Sequence, residues 1–248
     1  MDRRGPFWLD DSRIAFPSPH LADPSGLLAA GGNLEPERLL AAYRSGIFPW
    51  PLLGPRGPML WFSPDPRLVL YPGRFRVSRS LRRELRREPF EVAIDTRFRE
   101  VIVACAENPR AGQEGTWITG PLIDAFERLH RLGHAHSVEC LRGGELVGGL
   151  YGVAIGGAFF GESMFTRRSN SSKIALVRLV RCLEQWGYAF VDCQQVTEHM
   201  LRFGAEEIPR SRFLEELEAA LRLPGRPGSW RHGSQPRVTR TVPPGSGA

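Results

Sequence analysis

The sequence predicts an α+β (mixed α/β) protein in which helices flank a mixed sheet. Apolar strand patterns alternate with helix patterns along most of the chain, and glycine pairs at 143–144 and 156–157 join three consecutive strands as hairpins. The 248 residues are 42% hydrophobic, enough for the cores of one large and one small domain. We therefore expect a small N-terminal domain over residues 1–63 and a larger domain over residues 64–223.

The first 63 residues predict a short, loop-rich unit. Pro36 in a first turn and Gly46 at the end bound one helix, because proline is tolerated at a helix start and glycine at a helix stop. The aromatic segment 47–51 follows, and its two prolines make it too stiff for a flexible linker. This unit should therefore be small but ordered.

The larger domain is predicted from changes between strand and helix periodicity, with glycine and proline at the boundaries. The expected order is strand 68–71, an arginine-rich helix, strand 90–94, helix 98–107, helix 121–133, strands 135–142, 146–155 and 158–163, helix 171–186, strand 189–193, and helices 196–203 and 212–221. Residues 224–248 are rich in Pro, Gly and Ser and bury too little to fold alone, so we expect a disordered tail there.

Positive charge is concentrated in one segment. Residues 74–87 carry seven arginines and one glutamate, a surplus of +6 that equals the net charge of the whole chain. At helical spacing most of these guanidinium groups form one stripe, for which a polyphosphate backbone is the natural partner; a solvated helix face is the alternative. The residues of this arginine stripe are Arg74, Arg76, Arg79, Arg82, Arg83, Arg86 and Arg87.

The sequence gives little support for a membrane-spanning or metal-binding function. The longest uncharged apolar run, residues 146–161, is too short to span a bilayer, and the first residues do not resemble a targeting segment. The four cysteines lack metal-ligand or redox-pair spacing, which is typical of reduced cytosolic thiols. We expect no metal.

Two apolar strand patterns end in polar residues. Glu162 follows one, and Asp192, Cys193 and Gln194 end the other. Because side chains two apart share a strand face, Asp192 and Gln194 should lie together, with Cys193 pointing toward the core. Two carboxylates and a carboxamide beside apolar residues indicate a reaction site, although a hydrogen-bonded network without chemistry is the alternative.

By the same rule, Glu162 should share its strand face with Phe160 and Met164. That arrangement would put the carboxylate against an apolar wall. A carboxylate beside an apolar wall is more typical of a reaction site than of a core.

Eight short motifs occur in order: residues 26–29 (GLLA), 31–34 (GGNL), 46–50 (GIFPW), 61–67 (WFSPDPR), 115–119 (GTWIT), 132–137 (LGHAHS), 160–165 (FGESMF) and 192–194 (DCQ). Together they resemble the bacterial leucyl/phenylalanyl-tRNA–protein transferases from about residue 16 to residue 221. The resemblance implies a GNAT-like acyltransferase domain behind the small N-terminal domain. It also implies transfer of Leu or Phe from aminoacyl-tRNA to proteins that begin with Arg or Lys, marking them for degradation.

The implied reaction is aminolysis of an ester, which needs neither ATP nor a metal. Residues 166–173 contain no glycine, so the sequence offers no phosphate loop for coenzyme A, and we expect no cofactor. We assign Asp192 and Glu162 as acceptors that hold the incoming amine and accept or relay its proton. Gln194 would orient that amine through its carbonyl oxygen. A Cys193 nucleophile is a weaker hypothesis.

The donor's adenine and side chain also need sites. Trp50 and Trp117 lie beside turn residues and are candidates to stack on the terminal adenine, with burial as the alternative. Apolar residues of the neighbouring strands and helix are candidates for the aminoacyl pocket, with core packing as the alternative, which we favour for Leu179. The pocket candidates are Leu150, Phe159, Met164, Leu176 and Val191.

The expected partners are aminoacyl-tRNA and proteins with N-terminal Arg or Lys, with the enzyme acting as a cytoplasmic monomer and not at a membrane. One alternative is a Fem-type peptidyl transferase that uses aminoacyl-tRNA on a cell-wall precursor amine, although those enzymes are usually larger and doubled. The other is an RNA-binding domain whose acidic site has decayed. The intact Glu162, Asp192 and Gln194 argue against decay.

Overall fold

A small sheet organises the N-terminal part of the computed structural model, which describes residues 6–51, 57–108 and 117–231. Its strands pair in the order β1-β2-β4-β3, with β1 parallel to β2 and the other pairs antiparallel. The strands are β1 (Phe7–Leu9), β2 (Leu27–Gly31), β3 (Phe48–Pro49) and β4 (Leu60–Phe62), and the helix α1 (Pro36–Arg44) crosses between β2 and β3. The predicted helix is confirmed, but the loop-rich prediction missed this sheet because its strands are too short to show a periodic pattern.

A larger, seven-stranded sheet forms the rest of the described structure. Its order is β11-β5-β10-β9-β8-β7-β6; β9 and β10 run parallel, and the other neighbouring pairs are antiparallel. Its strands are β5 (Arg67–Leu70), β6 (Glu91–Ile94), β7 (Ala135–Arg142), β8 (Glu145–Ile155), β9 (Ala158–Thr166), β10 (Phe190–Gln194) and β11 (Glu206–Ile208). The predicted strands of this domain are present, and β11 was missed.

Helices cover both faces of the larger sheet. On one face α3, α4 and α7 share a core with α1; on the other, α2, α5 and α6 pack together. Their bounds are α2 (Arg79–Leu85), α3 (Phe98–Glu107), α4 (Gly120–Arg131), α5 (Ser171–Gln185), α6 (Glu198–Leu201) and α7 (Arg210–Leu221). The α+β class, with a small N-terminal and a larger domain, is confirmed. The GNAT-like identity of the larger domain stays a prediction, with which the parallel β9–β10 pair is consistent.

Two β-bulges distort the strands that carry the polar residues. In β9 the partner register shifts so that Tyr151 pairs with Ser163 and Gly152 with Gly161, which leaves Glu162 as an extra residue. A bulged strand bends and re-aims its side chains. The prediction that Glu162 shares a face with both Phe160 and Met164 is therefore wrong: Phe160 packs on the α1 side of the sheet and Met164 on the α5 side.

The second bulge lies in β10, where the register shifts between Asp192 and Gln194. Pairing of β9 with β10 also stops at this level, since its last partners are Phe160 and Asp192. The two parallel strands therefore separate beyond Asp192. The shift leaves Cys193 as the extra residue, so the two-residue rule no longer relates the faces of Asp192 and Gln194.

The predicted tail begins at residue 224, and its first eight residues are part of the described structure. Residues 224–231, here called the C-terminal strap, pack against the larger domain. Trp230 of this strap is fully buried and donates its backbone N–H to the Asp95 carboxylate at 2.8 Å. Residues 232–248 lie outside the described residues.

Candidate active site

Two adjoining cavities open where β9 and β10 separate. The larger has a volume of about 370 Å³ and is lined mainly by apolar side chains; the smaller has about 160 Å³ and a more polar lining. Residues common to both linings form the wall between them: Gly161, Glu162, Cys193 and Thr197. The polar strand ends therefore stand at the junction of an apolar and a polar compartment.

The larger cavity collects all the residues predicted for an aminoacyl pocket. Leu150, Phe159, Met164, Leu176 and Val191 line it; Leu179 also lines it and is buried in the core on the α5 side, in agreement with the core packing favoured for it. The sequence prediction missed residues that reach the cavity from other elements: Asn108, Tyr151, Ser163, His199 and Met200. These carry no shared pattern, because they come together only in the folded chain.

The smaller cavity brings together the two candidate tryptophans. Trp50 and Trp117 line it with residues of β3 and with Gln194 and Gln195. The Trp50 ring is held edge-on against Phe62 at a centroid distance of 5.4 Å. Both tryptophans are half-buried, so each keeps part of its surface open to a ligand. The neighbouring motif residues Gly115 and Thr116 lie outside the described residues.

Glu162 is placed by two hydrogen bonds to one of its oxygens. The Tyr43 hydroxyl and the Gln194 side-chain amide each donate to Oε1 at 2.8 Å. The other oxygen, Oε2, is enclosed and accepts no hydrogen bond from the described residues. Desolvation raises the pKa of Glu162 to about 8, and the nearby Asp192 charge adds to this increase, while both donors oppose it. At neutral pH the carboxyl group is therefore largely protonated.

Tyr43 is fully buried, and desolvation together with Glu162 holds the pKa of its hydroxyl well above the usual range. The hydroxyl therefore stays protonated and acts as a permanent donor to Glu162. Helix α1 of the N-terminal domain carries Tyr43, so the two domains meet at this carboxyl group.

Gln194 adopts a left-handed backbone conformation with φ of 62°, which is uncommon for a residue other than glycine. Its backbone N–H donates to Asp192 Oδ1 at 2.8 Å, which holds the turn in place. Since its side-chain nitrogen donates to Glu162, the side-chain carbonyl oxygen is left; it makes no hydrogen bond within the described ranges. That oxygen can accept a hydrogen bond from a donor in the smaller cavity.

Asp192 lies behind the site rather than in it. Its two oxygens accept from Arg67 Nε at 2.8 Å and Nη2 at 2.6 Å, and both side chains are fully buried. The guanidinium group is sandwiched by Phe48 and Phe213, at 4.9 and 4.4 Å from their ring centroids. Because this paired carboxylate does not line either cavity, the assignment of Asp192 as a direct acceptor for an amine is corrected.

Cys193 is half-buried; it packs against the core on the α5 side of the sheet, as predicted, and also lines both cavities. Desolvation and the neighbouring Asp192 charge raise the pKa of its thiol, so the reactive thiolate is disfavoured. A nucleophilic role for Cys193 is not supported by this environment.

The arginine stripe is exposed along its whole length, but helix α2 is shorter than predicted. The helix ends at Leu85, so Arg87 lies beyond it. Arg74 pairs with Glu206 at 3.0 Å and Arg87 with Glu84 at 3.7 Å. The other five make no ion pair with any residue that the structure describes: Arg76, Arg79, Arg82, Arg83 and Arg86. This surface is available to an anion.

No set of three His, Cys, Asp or Glu side chains among the described residues is arranged to hold a metal ion. Within the same ranges no helix has both the length and the apolar character needed to cross a membrane.

Comparison with known proteins covers most of the chain. A family model described as "Leucyl/phenylalanyl-tRNA protein transferase" matches residues 69–218, and the N-terminal domain model of that family matches residues 32–65. Proteins named leucyl/phenylalanyl-tRNA–protein transferase are 56% identical in Nitratidesulfovibrio vulgaris (strain DP4) and 57% in Anaeromyxobacter sp. (strain K). These alignments cover 91% and 88% of this chain and 95% and 93% of the relatives.

Among solved structures, L-PGS from Bacillus licheniformis matches with a TM-score of 0.37 and 14% identity. The match covers 66% of this chain and 51% of the other. A similarity this low carries no argument about fold or function.

Proposed function

The chain belongs to the leucyl/phenylalanyl-tRNA–protein transferase family, and we propose that it transfers Leu or Phe from aminoacyl-tRNA to proteins whose first residue is Arg or Lys. The acceptor atom is the N-terminal α-amine, and the product is a new peptide bond. One observation carries the proposal: a carboxyl group with a raised pKa stands at the junction of an apolar and a polar cavity. Such a junction suits an acyl group whose side chain and leaving group differ in polarity.

The donor fits the two cavities in one orientation. The Leu or Phe side chain occupies the larger, apolar cavity, and the terminal adenosine occupies the smaller one beside Trp50 and Trp117. Base stacking on an aromatic side chain is worth roughly 1–3 kcal/mol. The ester carbonyl then lies at the shared wall, next to Glu162 and Gln194.

Glu162 is suited to take the proton that keeps the acceptor amine unreactive. An α-amino group has a pKa of roughly 7.7–8.0, close to the value of about 8 for Glu162. When donor and acceptor pKa values match, the proton moves between them at little energetic cost. Since Oε1 already accepts two hydrogen bonds and Oε2 accepts none from the described residues, Oε2 is the oxygen left to carry this proton.

Glu162 carries a proton from the acceptor amine to the leaving ribose oxygen in the proposed reaction. The fraction of Glu162 that is ionised near neutral pH takes one proton from the α-ammonium, and the freed nitrogen lone pair forms a bond to the ester carbonyl carbon. The bond from that carbon to the ribose oxygen then breaks, and the leaving oxygen receives the proton held by Glu162. The nitrogen loses a second proton to solvent as the amide forms. Gln194 accepts an N–H of the amine through its carbonyl oxygen and so directs the attack.

Asp192 acts through its neighbours in this proposal. The buried Arg67–Asp192 pair holds the left-handed turn at Gln194 by the hydrogen bond from the Gln194 N–H. That turn places the Gln194 amide on Glu162. Asp192 is therefore a positioning residue, and Glu162 and Gln194 are the groups that contact the reactants.

The exposed arginine stripe is the proposed contact for the tRNA phosphates. Five unpaired guanidinium groups on a short segment repel each other, and a phosphate backbone relieves that repulsion. Since the proposed donor is charged tRNA, we also place the protein in the cytoplasm.

The decisive experiment offers labelled Leu-tRNA or Phe-tRNA together with peptides that begin with Arg, Lys or Ala. We expect label to reach the Arg and Lys peptides and not the Ala peptide. Transfer to a cell-wall precursor amine instead would support a Fem-type activity. Binding of tRNA without transfer to any acceptor would contradict the proposal.

A further inference from the structure

We propose that Trp230, in the C-terminal strap, is a positioning residue that sets the depth of the larger cavity by supporting Phe159. In this way the strap influences the choice between Leu and Phe as the transferred residue. The inference rests on the proposed function, because it concerns the side-chain cavity of that reaction.

The strap is hydrogen-bonded to the larger domain at Arg226, whose backbone N–H donates to the Tyr188 hydroxyl at 3.3 Å, and again near Trp230. Trp230 donates its backbone N–H to Asp95 Oδ2 at 2.8 Å and its ring N–H to the Arg226 carbonyl at 2.8 Å. Gly228 donates to the Gly133 carbonyl at 3.3 Å, and the two backbones are so close that a Cβ on Gly133 would lie 2.6 Å from the Gly228 Cα. These contacts leave the Trp230 ring little freedom to move.

The Trp230 ring fills a closed aromatic cluster. It stacks flat on His136, with centroids 3.7 Å apart and an interplanar angle of 4°, and Trp186 meets it edge-on at 4.8 Å. Tyr188 and Phe159 also border it, each at a centroid distance of 6.0 Å, and the planes of Phe159 and Trp230 meet at 36°. This distance is within the range of interacting aromatic pairs. The ring of Trp230 thus lies directly behind Phe159.

Phe159 faces the larger cavity and is only 1% exposed. Its ring is also confined at Gly152, where an added Cβ would approach Phe159 Cε1 and Cζ to 2.6 Å. With the ring held at Gly152 and backed by Trp230, Phe159 forms a fixed wall. A smaller residue at position 230 would give the Phe159 ring space to withdraw, and the acyl cavity would become deeper.

A deeper cavity favours the larger acyl group. Leu loses contact with the displaced wall, whereas Phe fills the added space, and a hydrophobic pocket discriminates by about tenfold or more for each methylene-sized change. We therefore expect Trp230→Phe to shift the ratio of kcat/KM for Leu-tRNA over Phe-tRNA by roughly tenfold toward Phe. The change should lie mainly in KM for Leu-tRNA. General destabilisation would lower both rates together and leave the ratio unchanged.

The experiment compares wild-type protein, Trp230→Phe, Trp230→Ala and Trp186→Phe, each as the full chain. Trp186 is the matched control, because it packs edge-on against Trp230 but makes no ring contact with Phe159 among the described residues, whereas Trp230 does. Trp230→Ala should give the larger shift, and Trp230→Phe decides the question if the alanine variant does not fold. The control should keep the wild-type ratio.

An unchanged Leu-to-Phe ratio in folded Trp230→Phe protein would overturn this inference while leaving the proposed function intact. An equal shift in Trp186→Phe would also overturn it, since the effect would then belong to the cluster as a whole. Absence of transfer by the wild-type protein would instead refute the proposed function itself.

Discussion

Glu162 makes the free energy of unfolding depend on pH in a direction that the structure determines. Burial raises its pKa from the ordinary 4.5 to about 8 in the folded protein. Between these values the folded protein holds a proton that the unfolded chain has released. The contribution of Glu162 is therefore fully present below about pH 4.5 and is lost as the pH rises to about 8.

The size of the Glu162 contribution to stability follows from the difference between its ordinary and its raised pKa. A difference of roughly 3.5 pH units, at about 1.4 kcal/mol for each unit, gives about 5 kcal/mol. We treat this as an upper value, because Glu162 is half-buried and borders two open cavities. Glu162→Gln has nearly the same shape and does not titrate, so it should remove this part of the pH dependence.

The assay is urea unfolding of the wild type and of Glu162→Gln at intervals from pH 5 to pH 8. The wild type should lose stability relative to the variant as the pH rises, by up to about 1.4 kcal/mol per unit. Tyr43→Phe is the matched control. This variant keeps the Glu162 carboxyl group but removes a hydrogen-bond donor that lowers the Glu162 pKa, so the loss of stability with rising pH should continue to higher pH than in the wild type. Parallel pH profiles for the wild type and Glu162→Gln would refute this account of the site.

Three further predictions test other parts of the structure. Asp192→Asn should reduce transfer with little loss of tRNA affinity and should destabilise the protein by about 3–5 kcal/mol, because Arg67 is left buried without its partner; full activity with unchanged urea unfolding would contradict this. Alanine at three unpaired stripe arginines should weaken tRNA binding and lower the slope of log K against log salt by up to about 0.9 for each lost phosphate contact. The control for this triple variant is Arg74→Ala, because Arg74 is already paired with Glu206. Unchanged tRNA binding in the triple variant would show that the arginine stripe does not contact tRNA. Deletion of residues 224–248 should destabilise the protein by at least about 3 kcal/mol through loss of Trp230, whereas deletion of 232–248 should not, as thermal unfolding would show.

Much of the larger domain was predictable because its signals are local. The glycine pairs at 143–144 and 156–157 marked the hairpins of β7, β8 and β9, and the predicted bounds of helix α3 and strand β7 match the structure. The N-terminal sheet was not predictable in the same way. Its strands have two to five residues, so neither period nor length separates them from loops.

Part of the candidate site was predictable from the sequence, but its arrangement was not. All the predicted cavity residues line one of the two cavities. The bulges at Glu162 and at Asp192–Gln194 broke the two-residue alternation from which we predicted shared faces. A bulge adds one residue without any fixed sequence signal, so only the pairing of neighbouring strands reveals it.

The Pro- and Gly-rich strap shows how composition alone can mislead. Its glycines permit the close backbone approach of Gly228 to Gly133, and a single tryptophan supplies its buried surface. Amino-acid composition indicates how much of a segment is buried on average. It does not show that one residue, Trp230, packs among the aromatic side chains of the larger domain.

The sequence by itself determined the family, the mixed α/β class, the acid and amide at the strand ends and the concentration of positive charge. These properties depend on residue identity and on spacing over a few residues. Only the tertiary structure decided that Asp192 is paired behind the site, that Glu162 is protonated near neutral pH, and that Trp230 backs the larger cavity. Each of those properties depends on desolvation or on a partner far away along the chain: Arg67 lies 125 residues from Asp192, and Tyr43 lies 119 residues from Glu162.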